Sequence, residues 1–304
     1  MPLEQGTLWR RLLATTESAQ RCGALLPVPT ECAFIEDQGA RFFVRVLSSL
    51  RRKDEARKKQ DAATQAGKSA NPFLPPEKEL TVADISATHI AVLNKFNVVD
   101  HHLLLITRCF EDQDTLLTPA DFEALWLCMA EYDGLAFYNG GREAGASQRH
   151  KHLQFVPLPL SPEGPAVPIE PLLAAADAGN AACPVPAFPF LHAFRRLANI
   201  LADGPYAAAK RSFELYGAML SDVGMHAPPV SGLAMQSMPY CFLVTRDWML
   251  LVPRSKEFYE DISFNSLAFG GSFFVRDRGQ LELLKKCGPL NALREVARQG
   301  RGEK

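Results

Sequence analysis

Residues 149–156 read RHKHLQFV. Two imidazoles and a carboxamide, His150, His152 and Gln154, stand at every second position. In a β-strand alternate side chains share a face, so these three would form one polar row, with Lys151, Leu153 and Phe155 on the other face, able to pack or to reach solvent. On a helix the same spacing turns by about 200° per step of two, and no joint site forms. Val156 and the Leu153–Phe155 pair favour the strand. Three uses compete for such a row. It can be plain structure on a half-exposed strand. It can supply two metal ligands, with a third drawn from Cys109, Cys128, His89, His101 or His102, although no spacing argues for that. Or it can act on phosphorus. A neutral imidazole attacks and forms a covalent intermediate, a neighbouring group sets its tautomer, and the carboxamide donates to a phosphoryl oxygen as charge builds.

The residues just ahead favour phosphorus. Tyr138-Asn139-Gly140-Gly141 and Gly145-Ala146-Ser147-Gln148 bring glycines, carboxamides and a hydroxyl to the turn before the histidines. Glycine lets backbone N–H groups approach an anion closely, and Ser147 and Gln148 add side-chain donors. Other nucleotide and hydrolase signatures are missing. There is no G-x-x-x-x-G-K-[ST], no G-x-G-x-x-G after a strand, and no G-x-S-x-G around Ser147.

The elements that must position this row read as follows. Residues 6–22 form a helix with Leu8, Leu12 and Leu13 on one stripe. Segments 32–36 and 41–47 form a hairpin across Asp37-Gln38-Gly39. Residues 51–77 are charged, small and polar and close in prolines, a solvated loop whose lysines can fold over an anion. Segments 89–96 and 101–107 are apolar, β-prone and paired. Thr118-Pro119-Ala120-Asp121 opens a helix by its cap, its proline and its early acid, with Phe122, Leu125, Trp126 and Met129 on the buried face. A strand at 135–139, the glycine turn and the strand of the histidines follow. Residues 157–189, rich in proline and alanine, read as a linker or crossover. Helices are expected at 189–203 and 205–221 and a second hairpin at 240–252. The class is α+β with mostly antiparallel sheet.

Composition sets the outer limits. The chain has 304 residues, 47% hydrophobic and 22% charged, with a formal net charge of -1. That is an ordinary globular balance with nothing global to attract nucleic acid or an anionic membrane. No apolar run approaches the ~20 residues that span a bilayer, and the first residues lack a signal-peptide pattern. The 7 cysteines are scattered and odd in number, with no C-x-x-C, which points to reduced thiols in a cytoplasmic protein.

NGGREAGASQRHKHLQF resembles the signature of the diadenosine tetraphosphate (Ap4A) phosphorylases, or ATP adenylyltransferases, a branch of the histidine-triad and galactose-1-phosphate uridylyltransferase superfamily in which H-x-H-x-Q replaces the triad's third histidine. Residues 93–113 are similar to that family's nucleotide-binding hairpin, and 237–276 to its C-terminal part. The resemblance implies a HIT-like α+β fold of two halves: a catalytic region at 1–160, a linker at 161–190 and a region at 191–304 that completes the site. It implies that His152 is the nucleophile, that His150 orients the site or binds phosphate, and that Gln154 holds the phosphate under attack. Asn139, Gly145, Ala146, Ser147 and Gln148 would bind the polyphosphate. Asn94 and Lys95 would contact nucleotide, Lys53 would reach the phosphates, and Asn265, Ser266, Leu267, Ser272 and Arg276 would close on the second nucleotide. One of His101 and His102 would lie near the site, and His89, His192 and His226 would be structural or at the surface.

The implied reaction is phosphorolysis of Ap4A to ATP and ADP through adenylyl-histidine, reversible as ATP adenylyltransferase. Mg²⁺ would arrive with the nucleotide, with no tightly bound cofactor. The partners would be Ap4A, ATP, ADP and phosphate, with no nucleic acid and no membrane. Two other readings stay open: a nucleotide-sugar phosphorylase or uridylyltransferase of the same superfamily, and a nucleotide-binding sensor whose histidines bind without reacting.

Overall fold

The computed structural model describes residues 3–47, 71–174, 176, 184–226 and 232–300. Lys53 and residues 51–70 of the loop expected at 51–77 lie outside the described residues. The first helix, α1 (Leu8–Cys22), buries Leu8, Leu12, Thr16 and Ala19 and ends at Gly23, whose φ of 75° suits a left-handed cap. Leu13, expected on the buried stripe, is 40% exposed. It follows Leu12 by about 100° around the helix and so turns away from the core. The hairpin β1 (Thr30–Asp37) and β2 (Ala40–Leu47) turns at Gln38 and Gly39, with φ of 47° and 85°. Two successive left-handed residues make the tight turn that matches strand twist.

Next come β3 (Thr81–Asp84), β4 (His89–Leu93), β5 (Leu103–Thr107) and α2 (Pro119–Glu131). The start of α2 is a reciprocal cap: the Thr118 hydroxyl accepts from the Asp121 N–H, and the Asp121 carboxylate accepts from the Thr118 N–H. Then follow β6 (Gly134–Gly140), β7 (His152–Pro157), α3 (Glu170–Leu173), β8 (Ala193–Arg196) and α4 (Pro205–Asp222). The chain ends through β9 (Tyr240–Val244), β10 (Trp248–Pro253), β11 (Phe258–Tyr259), β12 (Ile262–Ser263), α5 (Ser266–Phe269), β13 (Ser272–Val275), α6 (Arg278–Cys287) and α7 (Pro289–Val296). A strand, β8, stands where a helix at 189–203 was expected. Its residues pair with the edge of β10, Trp248 opposite Arg196, and Arg195, polar but buried, is held by Asp222. Edge pairing and burial here outweigh the local helical pattern.

Eight strands form one sheet in the order β3-β4-β5-β7-β6-β9-β10-β8, antiparallel throughout. The pairing of β6 with β9 carries it from the N-terminal to the C-terminal half. A second sheet, β1-β2-β13, has β13 parallel to β2. One face of the large sheet presents Leu103, Leu105, Leu153, Phe155, Phe242 and Met249 to α1, α2 and α4, with Trp126, Met129 and Tyr216 in the same core. On the other face, Phe137, Leu243, Leu250 and Val252 pack under the small sheet and the last helices, through Phe42, Val44, Phe273 and Leu293. Over β4, β5 and the start of β7, the described cover is slight. Phe73 closes a small cluster with Val92, Leu104 and Ile106. The row of His152 and Gln154 emerges there. No helix among the described residues is long and apolar enough to cross a membrane.

Candidate active site

Register decides which way the row points. His152 lies opposite Ile106, and Gln154 lies between Leu104 on β5 and Phe137 on β6. Both therefore share the face of Phe73, Leu104 and Ile106, while Leu153 and Phe155 enter the helix-covered core. His150 stands just before β7 and bridges to Asp112.

His152 is oriented by the backbone just ahead of its strand. Its Nδ1 lies 2.8 Å from the His150 carbonyl oxygen, which can only accept, so Nδ1 carries the proton and Nε2 keeps a lone pair. Burial pushes the His152 pKa down to about 4; the nearby His150 adds a smaller push, and the hydrogen bond to the carbonyl opposes both. The ring is neutral at pH 7. That is the form that attacks phosphorus.

Gln113, which carried no role in the sequence reading, fixes the backbone here. The β6–β7 ladder ends at Phe137 opposite Gln154, and beyond it the strands part. The Gln113 carboxamide fills the gap. Its Oε1 accepts from the His152 N–H at 2.8 Å, and its Nε2 donates to the Asn139 carbonyl at 3.0 Å and the His152 carbonyl at 3.3 Å. His150 is engaged at both ring nitrogens. Nε2 is 2.8 Å from both the carbonyl and the hydroxyl oxygen of Thr107, and Nδ1 is 2.8 Å from Asn71 Nδ2. Burial lowers its pKa as well.

Lys151 is wholly buried. Its Nζ donates to Asp121 Oδ2 at 2.6 Å, the Leu116 carbonyl at 3.0 Å and Glu111 Oε2 at 3.2 Å. His89 completes the group, its Nε2 3.0 Å from Asp121 Oδ1. Burial alone would raise the Asp121 carboxyl, but Lys151 and His89 hold it well below the usual carboxylate range. The strand of the histidines is thereby tied, on its far side, to the first turn of α2.

The glycine turn differs from expectation in one respect. The N–H groups of Ala144 and Ala146 bond to the Gly141 carbonyl, and that of Gly145 to the Arg142 carbonyl. These donors close the turn rather than face an anion. Ser147 is exposed and Gln148 half-buried. Gly145, at φ 93°, touches the C-terminal half: a Cβ there would stand 2.8 Å from that of Asn265 and 3.0 Å from the Phe264 carbonyl. Beside it, Asn139 Oδ1 accepts from the Ser266 N–H at 2.9 Å and the Ser266 hydroxyl at 2.7 Å. Asn265 caps α5 through the Leu267 N–H. Asn139, Gly145, Asn265 and Ser266 are thus brought together.

The remaining candidates disperse. Leu267 packs in the core. Ser272 is buried, its hydroxyl accepting from Arg45 Nη1 at 2.7 Å. Arg276 is exposed past the end of β13, its N–H held by Gln280. Lys95 Nζ makes an ion pair with Glu77 at 2.7 and 2.9 Å. Asn94 Nδ2 is 3.2 Å from His102 Nδ1. Of the two adjacent histidines, His102 is on the site face, with its ring 5.8 Å from that of Phe137. His101 turns to Trp9 on α1, ring to ring at 5.4 Å.

Residues 1–175 match the family model of the Ap4A phosphorylase N-terminal domain, and residues 186–299 that of the ATP adenylyltransferase C-terminal domain. The chain is 36% identical to diadenosine 5',5'''-P1,P4-tetraphosphate phosphorylase 2 of Saccharomyces cerevisiae over 133 residues, a match that takes in 39% of this chain and 39% of that protein. Protein APA1 of the same yeast is 26% identical over 238 residues, 70% of this chain and 71% of that one. The crystal structure of yeast Ap4A phosphorylase Apa2 shares the fold, with a TM-score of 0.75, 22% identity and coverage of 97% of this chain and 98% of that chain. The same yeast protein in complex with Ap4A gives a TM-score of 0.75 at 24% identity, with the same coverage. The fold is α+β and HIT-like, and the chain belongs to the Ap4A phosphorylase family.

Proposed function

We propose that this protein cleaves Ap4A by phosphorolysis, giving ATP and ADP. The observation that carries this reading is the neutral His152 ring, with Nδ1 on the His150 carbonyl and Nε2 unprotonated. In the first displacement Nε2 attacks an α-phosphorus, the bond to the bridging oxygen breaks, and ATP leaves with that oxygen's charge. The adenylyl group stays on Nε2, and the positive charge on the ring is stabilised by the His150 carbonyl at Nδ1. In the second, an oxygen of inorganic phosphate attacks the same phosphorus, the N–P bond breaks, and ADP departs. Run backwards, the steps make an ATP adenylyltransferase. Gln154, on the same face as His152, is the donor to the phosphoryl oxygens, and Asn139, Ser147 and Gln148 flank the polyphosphate.

The substrates are Ap4A, ATP, ADP and phosphate, with neither nucleic acid nor membrane as partner. Mg²⁺ enters on the polyphosphate. Among the described residues no three His, Cys, Asp or Glu side chains gather to cage a cation, so the phosphate oxygens would hold it. The free thiols of Cys22, Cys32, Cys109, Cys128, Cys241 and Cys287 suit a reducing cytoplasm.

The test is to incubate the protein with Ap4A and Mg²⁺, with and without phosphate, and to separate the nucleotides by ion exchange. ATP plus ADP, formed only with phosphate and lost in His152→Ala, is the expected outcome. ATP plus AMP without phosphate means hydrolysis, and absence of turnover in both tubes sinks the reading.

A further inference from the structure

Hydrogen bonds through His150 run in one direction only. The Phe73 N–H donates to Asn71 Oδ1 at 3.0 Å. Only the oxygen of a carboxamide accepts, so the amide is fixed with Nδ2 towards His150. Nδ2 can only donate, and it lies 2.8 Å from His150 Nδ1, which must offer its lone pair. At the far side of the ring, Nε2 lies 2.8 Å from the Thr107 carbonyl oxygen, which can only accept. The Thr107 hydroxyl is equally near, but its own proton goes to the Cys109 carbonyl at 2.8 Å. The ring is therefore neutral, bears its proton on Nε2, and spends both nitrogens on the protein. Phe73 and Phe110 stand edge-on against it at 5.6 and 5.7 Å between centroids. Nothing on this ring remains to grip a phosphate or to move a proton.

We propose that Asn71 is a positioning residue of the reaction: its carboxamide locks His150 in the Nε2–H tautomer and so steadies the His150 carbonyl that orients the nucleophile. Protonating His150 would aim a new N–H at the N–H of Asn71, so the lock also keeps positive charge away from His152. Few charged groups surround His150. Glu111, in the loop after β5, acts on it electrostatically while its carboxylate holds Lys151 Nζ, and His152 and Lys151 follow it in the chain. Arg108, at the end of β5, is turned to Asp84, and Arg149 to Asp112.

Asn71→Asp separates this role from a mere turn cap. The carboxylate keeps the acceptor that the Phe73 N–H uses, but it replaces the donor to His150 with a second acceptor. In full-length protein labelled with 15N-histidine, the His150 signal, identified by its loss in His150→Asn, is expected to show a proton on Nε2 alone at neutral pH. In Asn71→Asp both nitrogens should be protonated. The kinetic arm rests on Ap4A phosphorolysis. There kcat should fall about tenfold at neutral pH, with KM nearly unchanged, and recover as rising pH removes the added proton. A wild-type proton on Nδ1, or shared between the nitrogens, overturns the proposal. So does a loss of activity in Asn71→Leu with none in Asn71→Asp, which would make the residue a turn cap only. The spectrum is read without substrate. Failure of wild-type turnover would thus sink the reaction and leave Asn71 to be judged on the ring.

Discussion

The Nδ1 of His152 lies 2.8 Å from the carbonyl oxygen of His150, two residues back and just ahead of the strand that His152 opens. The group that sets the tautomer is thus backbone. It cannot be titrated, and it places no full negative charge beside the ring. A carboxylate in that position would raise the imidazole pKa; a carbonyl supports it only weakly, and burial prevails.

The first prediction concerns pH. The His152 pKa lies at about 4 in the folded protein, against 6.5 for the free side chain. For the free enzyme, kcat/KM should hold level from neutrality down and fall only as the pH nears 4. Stability follows the same sign. Between 6.5 and 4 the unfolded chain takes up a proton that the native ring refuses, so the native state weakens as pH falls through that window. The full effect is about 3 kcal/mol. Urea midpoints at pH ~7 and ~5 should drop further in the wild type than in His152→Gln. A kcat/KM already halved at pH 6.5 would contradict this placement of the ring.

A second prediction concerns Gln113. Gln113→Ala strands the His152 N–H and the Asn139 carbonyl, at about 1–3 kcal/mol for each buried group left unpaired. Gln113→Glu retains an acceptor for the His152 N–H but turns a second oxygen towards two carbonyls. It should therefore destabilise at least as much as alanine and lower kcat more than it raises KM, because it shifts the strand that bears the proposed nucleophile, His152. Urea unfolding with steady-state kinetics reads both. A Gln113→Glu variant with wild-type kcat would show that the clamp is dispensable.

How legible this site was depended on whether period or tertiary contact decided each residue. His152 and Gln154 share a face because alternation is a property of any strand. Lys151 takes the other face by the same rule, yet its complete burial could not be read locally, since its partner Asp121 lies 30 positions away on a helix cap. Gln113 and Asn71 sit in irregular segments with no period to mark them. The resemblance singled out Asn139, Gly145, Asn265 and Ser266, and the structure gives the contact that unites them. It does not gather the side chains of Leu267, Ser272 and Arg276 with them: a side chain's neighbours depend on how the small sheet docks. The segment at 193–196 carried helical spacing, but the open edge of β10 claimed it.

The third prediction tests the buried pair under the strand of His152. Lys151→Met leaves the Asp121 carboxylate in the core with His89 and the Thr118 cap, and removing one member of such a pair costs about 3–5 kcal/mol. Asp121→Asn alone leaves the ammonium with Glu111 and the Leu116 carbonyl, and should also be costly. The double variant removes both charges together, so its loss should be smaller than the sum of the two, with a coupling of at least about 1 kcal/mol. The Asp121 carboxyl sits below its ordinary 3.8, so the stability it contributes is complete above that value and is lost only as the pH falls beneath it. Strict additivity in urea unfolding at neutral pH would mean that Lys151 and Asp121 do not act as a pair.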